Sequence, residues 1–178
     1  MRRVSCLLGT YLNEWPWNTM AEYLDAVCDL LIDEEGAVTM TQFYGCEEDI
    51  KEIMKIPCMM LCSDTIVGGK PHPRAYGSTA RFLGKYARDE KVMPIEEAVT
   101  KMTSQTCRRI GLYDRGLIRP GMAADITVFD PERIIDKGTY KDPCRHPEGT
   151  IHVMVNGVFA LKDGVLTGER RGRVLRSS

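Results

Sequence analysis

Asp64, His72 and Arg74 are the residues whose types and spacing best support chemistry in this sequence. Asp64 follows the short apolar run Cys58-Met59-Met60-Leu61-Cys62, which reads as a strand buried on both faces and ends abruptly at Ser63-Asp64. In parallel α/β folds, catalytic groups collect at the C-terminal ends of the strands. A carboxylate placed there can bind a metal or shuttle a proton. The competing reading is a loop-start aspartate that caps a backbone N–H. Further on, Pro71-His72-Pro73-Arg74 sets a histidine and an arginine in a stretch stiffened by two prolines. A preordered guanidinium can grip a substrate carboxylate through two parallel hydrogen bonds. The plainer alternative is an arginine in a surface salt bridge.

Histidine supply limits what else the chain can build. There are three, His72, His146 and His152, and none forms a His-x-His or His-Glu-x-x-His pair. A self-contained zinc hydrolase site needs about three protein ligands, usually rich in histidine. His152 lies mid-strand between apolar neighbours and reads as packed. His146, within Pro143-Cys144-Arg145-His146-Pro147, reads as a loop residue. The seven cysteines are scattered, without a Cys-x-x-Cys pair, which excludes a zinc ribbon. They read as reduced, mostly buried thiols of a cytoplasmic protein. The chain alone does not read as the owner of a complete metal site.

The elements that must position these residues follow from periodicity and punctuation. A helix over Thr19–Asp33 opens on the capping-box pattern Thr19 and Glu22, carries Leu24, Val27, Cys28 and Leu31 at helical spacing, and stops before Gly36. Ala37–Phe43, rich in Val and Thr, reads as a strand. Glu47, Glu48 and Asp49 load the start of a second helix with acids, Ile50, Ile53 and Met54 form its apolar side, and Pro57 ends it. After the Cys58–Cys62 strand, Gly68, Gly69, Pro71, Pro73 and Gly77 predict a long loop. The next helix runs over about Pro94–Ile110, with Ile95, Ala98, Val99 and Met102 as its buried stripe and Gly111 as its C-cap. From Leu112 onward the period is that of strands: Ala124–Phe129, Ile151–Val155 and Val158–Lys162. Asn156-Gly157 and Asp163-Gly164 supply the hairpin turns.

The first two-thirds therefore read as alternating α and β elements around a parallel sheet, and the last third as antiparallel β. Two parallel strands are too few for a stable α/β domain, so the α/β part reads as a piece of something larger. Length and composition agree with a globular chain of one domain or one and a half: 178 residues, 43% hydrophobic and 28% charged. A formal net charge of −1 gives no reason to expect nucleic acid or an anionic membrane as partner. The apolar runs are far shorter than the roughly 20 residues a membrane span needs. Met1–Gly9 has a faint signal-peptide look, but its apolar part is too short, and it reads as part of the fold.

Longer strings of residues carry a resemblance. Ser63-Asp64 followed by His72-Pro73-Arg74-Ala75-Tyr76-Gly77 resembles the strand-8 region of the N-acyl-D-amino-acid deacylases, or D-aminoacylases. Glu96-Glu97-Ala98-Val99-Thr100-Lys101-Met102-Thr103-Ser104 resembles their following helix. Asp114 through Pro131, containing Gly121-Met122-Ala123-Ala124-Asp125, resembles the return into their β-domain. Val153-Met154-Val155-Asn156-Gly157 and Thr167 through Arg173 match as well. The Gly-Met-x-Ala-Asp and Val-Asn-Gly strings are shared across the wider amidohydrolase superfamily, whereas the His-Pro-Arg-x-Tyr-Gly block belongs to the deacylases.

The resemblance implies an α/β fold: residues 1–111 as the last strands and helices of a (β/α)8 amidohydrolase barrel, and residues 112–178 as part of the accompanying β-sandwich. It implies metal-dependent hydrolysis of the amide bond of N-acyl-D-amino acids, with Zn2+ as cofactor. Asp64 then matches the strand-8 aspartate that takes a proton from the metal-bound water and passes it to the leaving amine, and it is the one candidate metal ligand here. Arg74 matches a binder of the substrate α-carboxylate, with His72 and Tyr76 framing that loop. Two departures stand out. The early His-x-His and cysteine ligands of the family are absent, and Thr65 follows the aspartate where Gly is usual. The chain matches about the C-terminal third of the family's length, so the expectation is a fragment inactive alone, its partners the missing barrel portion or a second copy. The alternative is a non-catalytic β-domain derived from an amidohydrolase and acting in oligomerisation.

Overall fold

The computed structural model describes residues 20–36, 45–66 and 71–176. The chain divides into two compact units, Met1–Phe43 and Tyr44–Ser178. In the first, helix α1 spans Met20–Asp33. It ends as the sequence predicts: Gly36 adopts φ 76° and its N–H donates to the Leu31 carbonyl at 2.8 Å, a left-handed stop open to glycine at no Cβ cost. Leu24 and Leu31 of the expected apolar stripe are exposed. Thr19 and the Ala37–Phe43 strand lie outside the described residues.

The second unit begins with α2, Glu47–Lys55, whose first turn holds three acids and whose last residue is a lysine, the polarity that a helix dipole favours. Ile56 turns extended, ψ 128°, as the residue before a proline must. The carbonyls left open at this helix end are met by a buried cation. Lys101, 1% exposed, donates from Nζ to the carbonyls of Met54 at 2.6 Å and Ile56 at 2.9 Å, and pairs with Glu97 at 3.0 Å.

Residues 58–62 differ from expectation. Cys58 and Cys62 are exposed, Met59 to Leu61 half-buried, and the run joins no sheet. A strand buried on both faces needs neighbours on both edges, and among the described residues no strand pairs with it. The expectation of mostly buried thiols fails for a related reason. Of the described cysteines, Cys28, Cys46, Cys58, Cys62 and Cys144 are exposed and Cys107 is half-buried.

The expected long loop is in large part a helix. α3, Arg74–Arg81, continues directly into a π-helix, Phe82–Asp89. Gly77 and Gly84 sit inside it, and both are points of backbone contact rather than breaks. A Cβ on Gly77 would lie 2.7 Å from the Asp136 Cβ, and one on Gly84 only 2.0 Å from the Ile134 carbonyl oxygen. The π-helix supplies the largest share of the described core: Phe82, Leu83, Tyr86 and Ala87 pack with Met54, Ala80, Met93, Ala98 and Ile134. Arg88 donates from Nη1 to the Ile134 carbonyl at 2.9 Å and the Pro131 carbonyl at 3.2 Å, fastening the same contact.

The helix expected over Pro94–Ile110 is two: α4, Ile95–Met102, and α5, Ser104–Arg109. Thr103, at φ −123° and ψ −93°, breaks it. Its hydroxyl donates to the Val99 carbonyl at 2.7 Å, and that of Thr106 to the Lys101 carbonyl at 2.7 Å, the local back-bonding by which threonine competes with a helix ladder. Gly111 takes φ 78°, the C-cap that the sequence predicts.

An antiparallel sheet of order β1-β2-β3-β4 follows: β1 Ile126–Phe129, β2 Thr150–Val155, β3 Val158–Lys162 and β4 Val165–Leu166. Both turns are primed: Asn156 and Gly157 sit at φ 48° and 82°, Asp163 and Gly164 at φ 50° and 76°. One buried guanidinium ties the Gly121–Asp125 and Val155–Gly157 strings together. Arg115, 7% exposed, bonds Asp125 and donates to Asn156 Oδ1 at 3.0 Å. Asp125 in turn accepts the Asn156 backbone N–H at 2.7 Å. Among the described residues no helix is long and apolar enough to cross a membrane.

Gly84→Ala should destabilise the second unit by at least the upper end of the roughly 1–3 kcal/mol that overpacking costs, because its Cβ would meet a backbone oxygen that cannot rotate away. Gly172→Ala, where a Cβ meets nothing within 4 Å, should change stability by no more than about 0.5 kcal/mol. Urea unfolding of both variants checks the contrast; equal effects would mean that the glycine contact is not a packing constraint.

Candidate active site

Asp64 sits at the end of the 58–64 run with φ 46°, a left-handed conformation that few non-glycine residues take and that aspartate tolerates better than most. Its side chain is 86% exposed. Arg74, the first residue of α3, reaches back to it: Nη2 donates to the Asp64 backbone carbonyl at 2.6 Å and to Oδ2 at 3.2 Å. The next residue, Thr65, buries its hydroxyl oxygen without a hydrogen-bond partner, a cost of about 1–3 kcal/mol at the position where the resembling family carries Gly.

The His72-Pro73-Arg74 stretch is a folded turn. The Ala75 N–H donates to the His72 carbonyl at 2.9 Å, and Pro73 accepts from Tyr76 and Gly77, both at 3.1 Å. His72 Nδ1 accepts the Arg74 backbone N–H at 3.0 Å, so the neutral ring carries its proton on Nε2. Burial, followed by the positive charge of Arg74, holds the His72 pKa below its ordinary value. Tyr76 is pushed the other way, chiefly by a hydrogen bond and charge interaction with Cys144.

The four residues singled out from the sequence, Asp64, His72, Arg74 and Tyr76, thus lie on one continuous stretch, and the Arg74 guanidinium joins its two ends. Three more residues join them from the chain between Ile135 and β2. Tyr140 meets His72 edge-on at 5.1 Å between ring centroids. His146 meets Tyr76 at 5.7 Å, and Cys144 lies beside the Tyr76 phenol. Sequence reasoning placed His146 in a loop and gave no role to Tyr140 or Cys144. The available signal was the proline bracket Pro143–Pro147, which mirrors Pro71–Pro73. His152 does stand apart: its Nδ1 accepts the Asp163 N–H at 3.0 Å, a packed strand residue as expected.

An open surface hollow of about 810 Å3 between Pro57, Met60, Gln105, Arg108 and Tyr113 contains none of the four residues. Among the described residues no three His, Cys, Asp or Glu side chains converge as a metal site. Asp64 faces a guanidinium instead. The described residues alone do not fit a zinc ion, and no step can be built through one.

Comparison with known proteins adds an independent set of findings. A family model described as "Amidohydrolase family" matches residues 16–160. The chain is 40% identical over 130 residues to a D-aminoacylase of Alcaligenes xylosoxydans xylosoxydans, covering 72% of this chain and 27% of that protein. It is 31% identical over 182 residues to the N-acyl-D-aspartate deacylase of the same organism, covering 98% of this chain and 36% of the relative. The chain therefore spans about a quarter to a third of the length of these curated relatives. Among solved structures, a D-aminoacylase described for its binuclear metal center superposes with a TM-score of 0.71 at 39% identity, over 74% of this chain and 28% of the other. An N-acyl-D-glutamate deacylase of Bordetella bronchiseptica, complexed with zinc and a phosphonate mimic of the tetrahedral intermediate, gives 0.63 at 39% identity over 65% and 24%.

His72 should make the fold sensitive to acid. A histidine with a lowered folded pKa takes up its proton more readily when unfolded, so its stabilising contribution is complete above the unfolded value of 6.5 and is lost as pH falls below it toward the folded pKa. Denaturant midpoints measured across that window should decline, and His72→Gln should flatten this part of the decline. An unchanged slope in the variant would assign it to other groups.

Proposed function

Because the chain belongs to the amidohydrolase family, we propose that it supplies the strand-8 end of a (β/α)8 barrel, within about residues 1–111, and part of a β-sandwich over 112–178, for an enzyme that hydrolyses the amide of N-acyl-D-amino acids. The observation that supports this reading best is the bond from Arg74 to Asp64, which gathers a carboxylate and the deacylase-type His-Pro-Arg-x-Tyr block at one point. Relatives to which the chain is similar are named D-aminoacylase and N-acyl-D-aspartate deacylase.

In this assignment Arg74 anchors the α-carboxylate of the substrate, and His72 and Tyr76 shape the loop around it. Asp64 is the proton carrier. Water adds to the amide carbonyl carbon, and its proton passes to the Asp64 carboxylate. The C–N bond then breaks as Asp64 delivers that proton to the nitrogen, leaving a carboxylic acid and a free D-amino acid. The Zn2+ named for the Bordetella relative belongs, on this reading, to the assembled enzyme. Asp64 is the ligand that this chain would contribute, the others coming from outside its described residues.

A second reading, an oligomerisation module without catalysis, draws on the apolar side of α2: Ile50, Ile53 and the following Ile56 are all exposed. Activity separates the two. With zinc added, the chain alone should release no free amine from N-acetyl-D-methionine; turnover at roughly 1 per second or more would show a site rebuilt within or between chains. A chimera carrying this chain in place of the matching part of a D-aminoacylase should hydrolyse that substrate, and a folded but inert chimera would favour the module. In the active chimera, Asp64→Asn should depress kcat and kcat/KM together by about 10²–10⁴-fold or more. Arg74→Lys keeps the charge but loses the planar fork and should raise KM about ten- to a hundredfold. It should hardly matter for an N-acyl amine that lacks the carboxylate. If Asp64→Asn left kcat intact, or Arg74→Lys hurt both substrates equally, the roles would be misassigned.

A further inference from the structure

The contacts made by residues 134–146 converge on α3, the π-helix and the turn before them. Gly84 lies against the Ile134 carbonyl and Gly77 against Asp136. Arg81 Nη1 pairs with Asp136 at 3.2 Å. Gly138 lies where a Cβ would come within 3.4 Å of the Pro73 Cβ and 2.9 Å of the Pro143 carbonyl oxygen. Tyr140 then meets His72, and His146 meets Tyr76, both edge-on. Going from 134 to 146, the contacted residues are 84, then 81 and 77, then 73, 72 and 76, so the segment follows the helix back to the turn ahead of it and ends on the first turn of α3.

We propose that Tyr140 and His146 are positioning residues for the substrate loop: their rings fix His72 and Tyr76, and through them the first turn of α3, from which Arg74 reaches Asp64. The inference rests on the functional reading above for its biological meaning, but its geometry stands without it. The physical argument is one of leverage. His72 Nδ1 holds the Arg74 N–H, so the orientation of the imidazole and the direction of the first turn of α3 are linked. An edge-on aromatic neighbour restricts that ring. Tyr76, two residues beyond Arg74, is restrained in the same way by His146. Arg74 is thus flanked on both sides by residues whose rings are held from outside the loop. His72 as a whole is exposed, so the contact with Tyr140 covers only part of its ring.

The three histidines make the test simple, because a chain labelled at histidine Cε1 gives three signals. In the unaltered chain, cross-relaxation should connect His72 with Tyr140 and Tyr76 with His146. Tyr140→Ala should raise the His72 pKa toward its ordinary value and shift the backbone amides of residues 72–76, while the amides of β2 and β3 stay in place. Tyr140→Phe, which keeps the ring, should restore both readouts. Absent cross-relaxation overturns the proposal. So does a His72 signal indifferent to Tyr140→Ala, a Phe variant as altered as the Ala variant, or a disturbance spread evenly over the unit. None of these readouts involves turnover, so an inert chimera would sink the functional reading and leave this result standing.

Discussion

The close approach of a helix to an irregular backbone segment is the constraint on which the rest of the second unit depends. Gly84 and Gly77 let the α3 and π-helical backbone come against Ile134 and Asp136 at distances that no side chain would allow. Three things follow from that contact. Ile134 is brought into the core of Phe82, Leu83 and Tyr86. Arg81 and Arg88 find their partners on the same segment. The chain beyond Asp136 is launched along α3 toward Pro73 and His72. A core contact and the geometry of the candidate site are therefore consequences of one packing decision. The π-helical widening lies next to it, in keeping with the tendency of such irregularities to occur beside functional elements.

Glycine explains much of the difference between what the sequence announces and what the chain does. Gly36 and Gly111, each just past a periodic run, and the turns at Asn156-Gly157 and Asp163-Gly164, are legible because only the local conformation is at stake, and the structure places each at positive φ. Gly77 and Gly84 look no different in the sequence. Their role is set by residues 50 or more positions away, so a local reading takes Gly77 for punctuation and predicts a loop where a helix stands. Thr103 is the converse: no breaker by type, it interrupts a helix at φ −123° and ψ −93°, with its hydroxyl bonded to the Val99 carbonyl.

The site shows the same division. Asp64, His72 and Arg74 stand out in the sequence because they are close together, after an apolar run and among prolines, and Tyr76 enters through the family resemblance alone. Tyr140, Cys144 and His146 do not stand out, because only the path of residues 134–146 brings them to the loop. The buried strand inferred before Asp64 was read from an apolar run whose logic is that of a sheet interior; among the described residues the run has no pairing partner and is partly exposed. An apolar run reports what a segment is suited to contact, and says nothing of which chain supplies that contact.

The Arg74–Asp64 bond sets a condition on the proposed assignment. The guanidinium nitrogen that holds the Asp64 carbonyl and carboxylate cannot at the same time give a prong of a two-pronged grip on a substrate carboxylate. Asp64 is largely in water, where an ion pair is worth little, so on that assignment an arriving carboxylate displaces it from Arg74 at small cost. The reach of Arg74 then depends on where the first turn of α3 points. That direction is set by rings on a segment that itself belongs to the packing around Gly84.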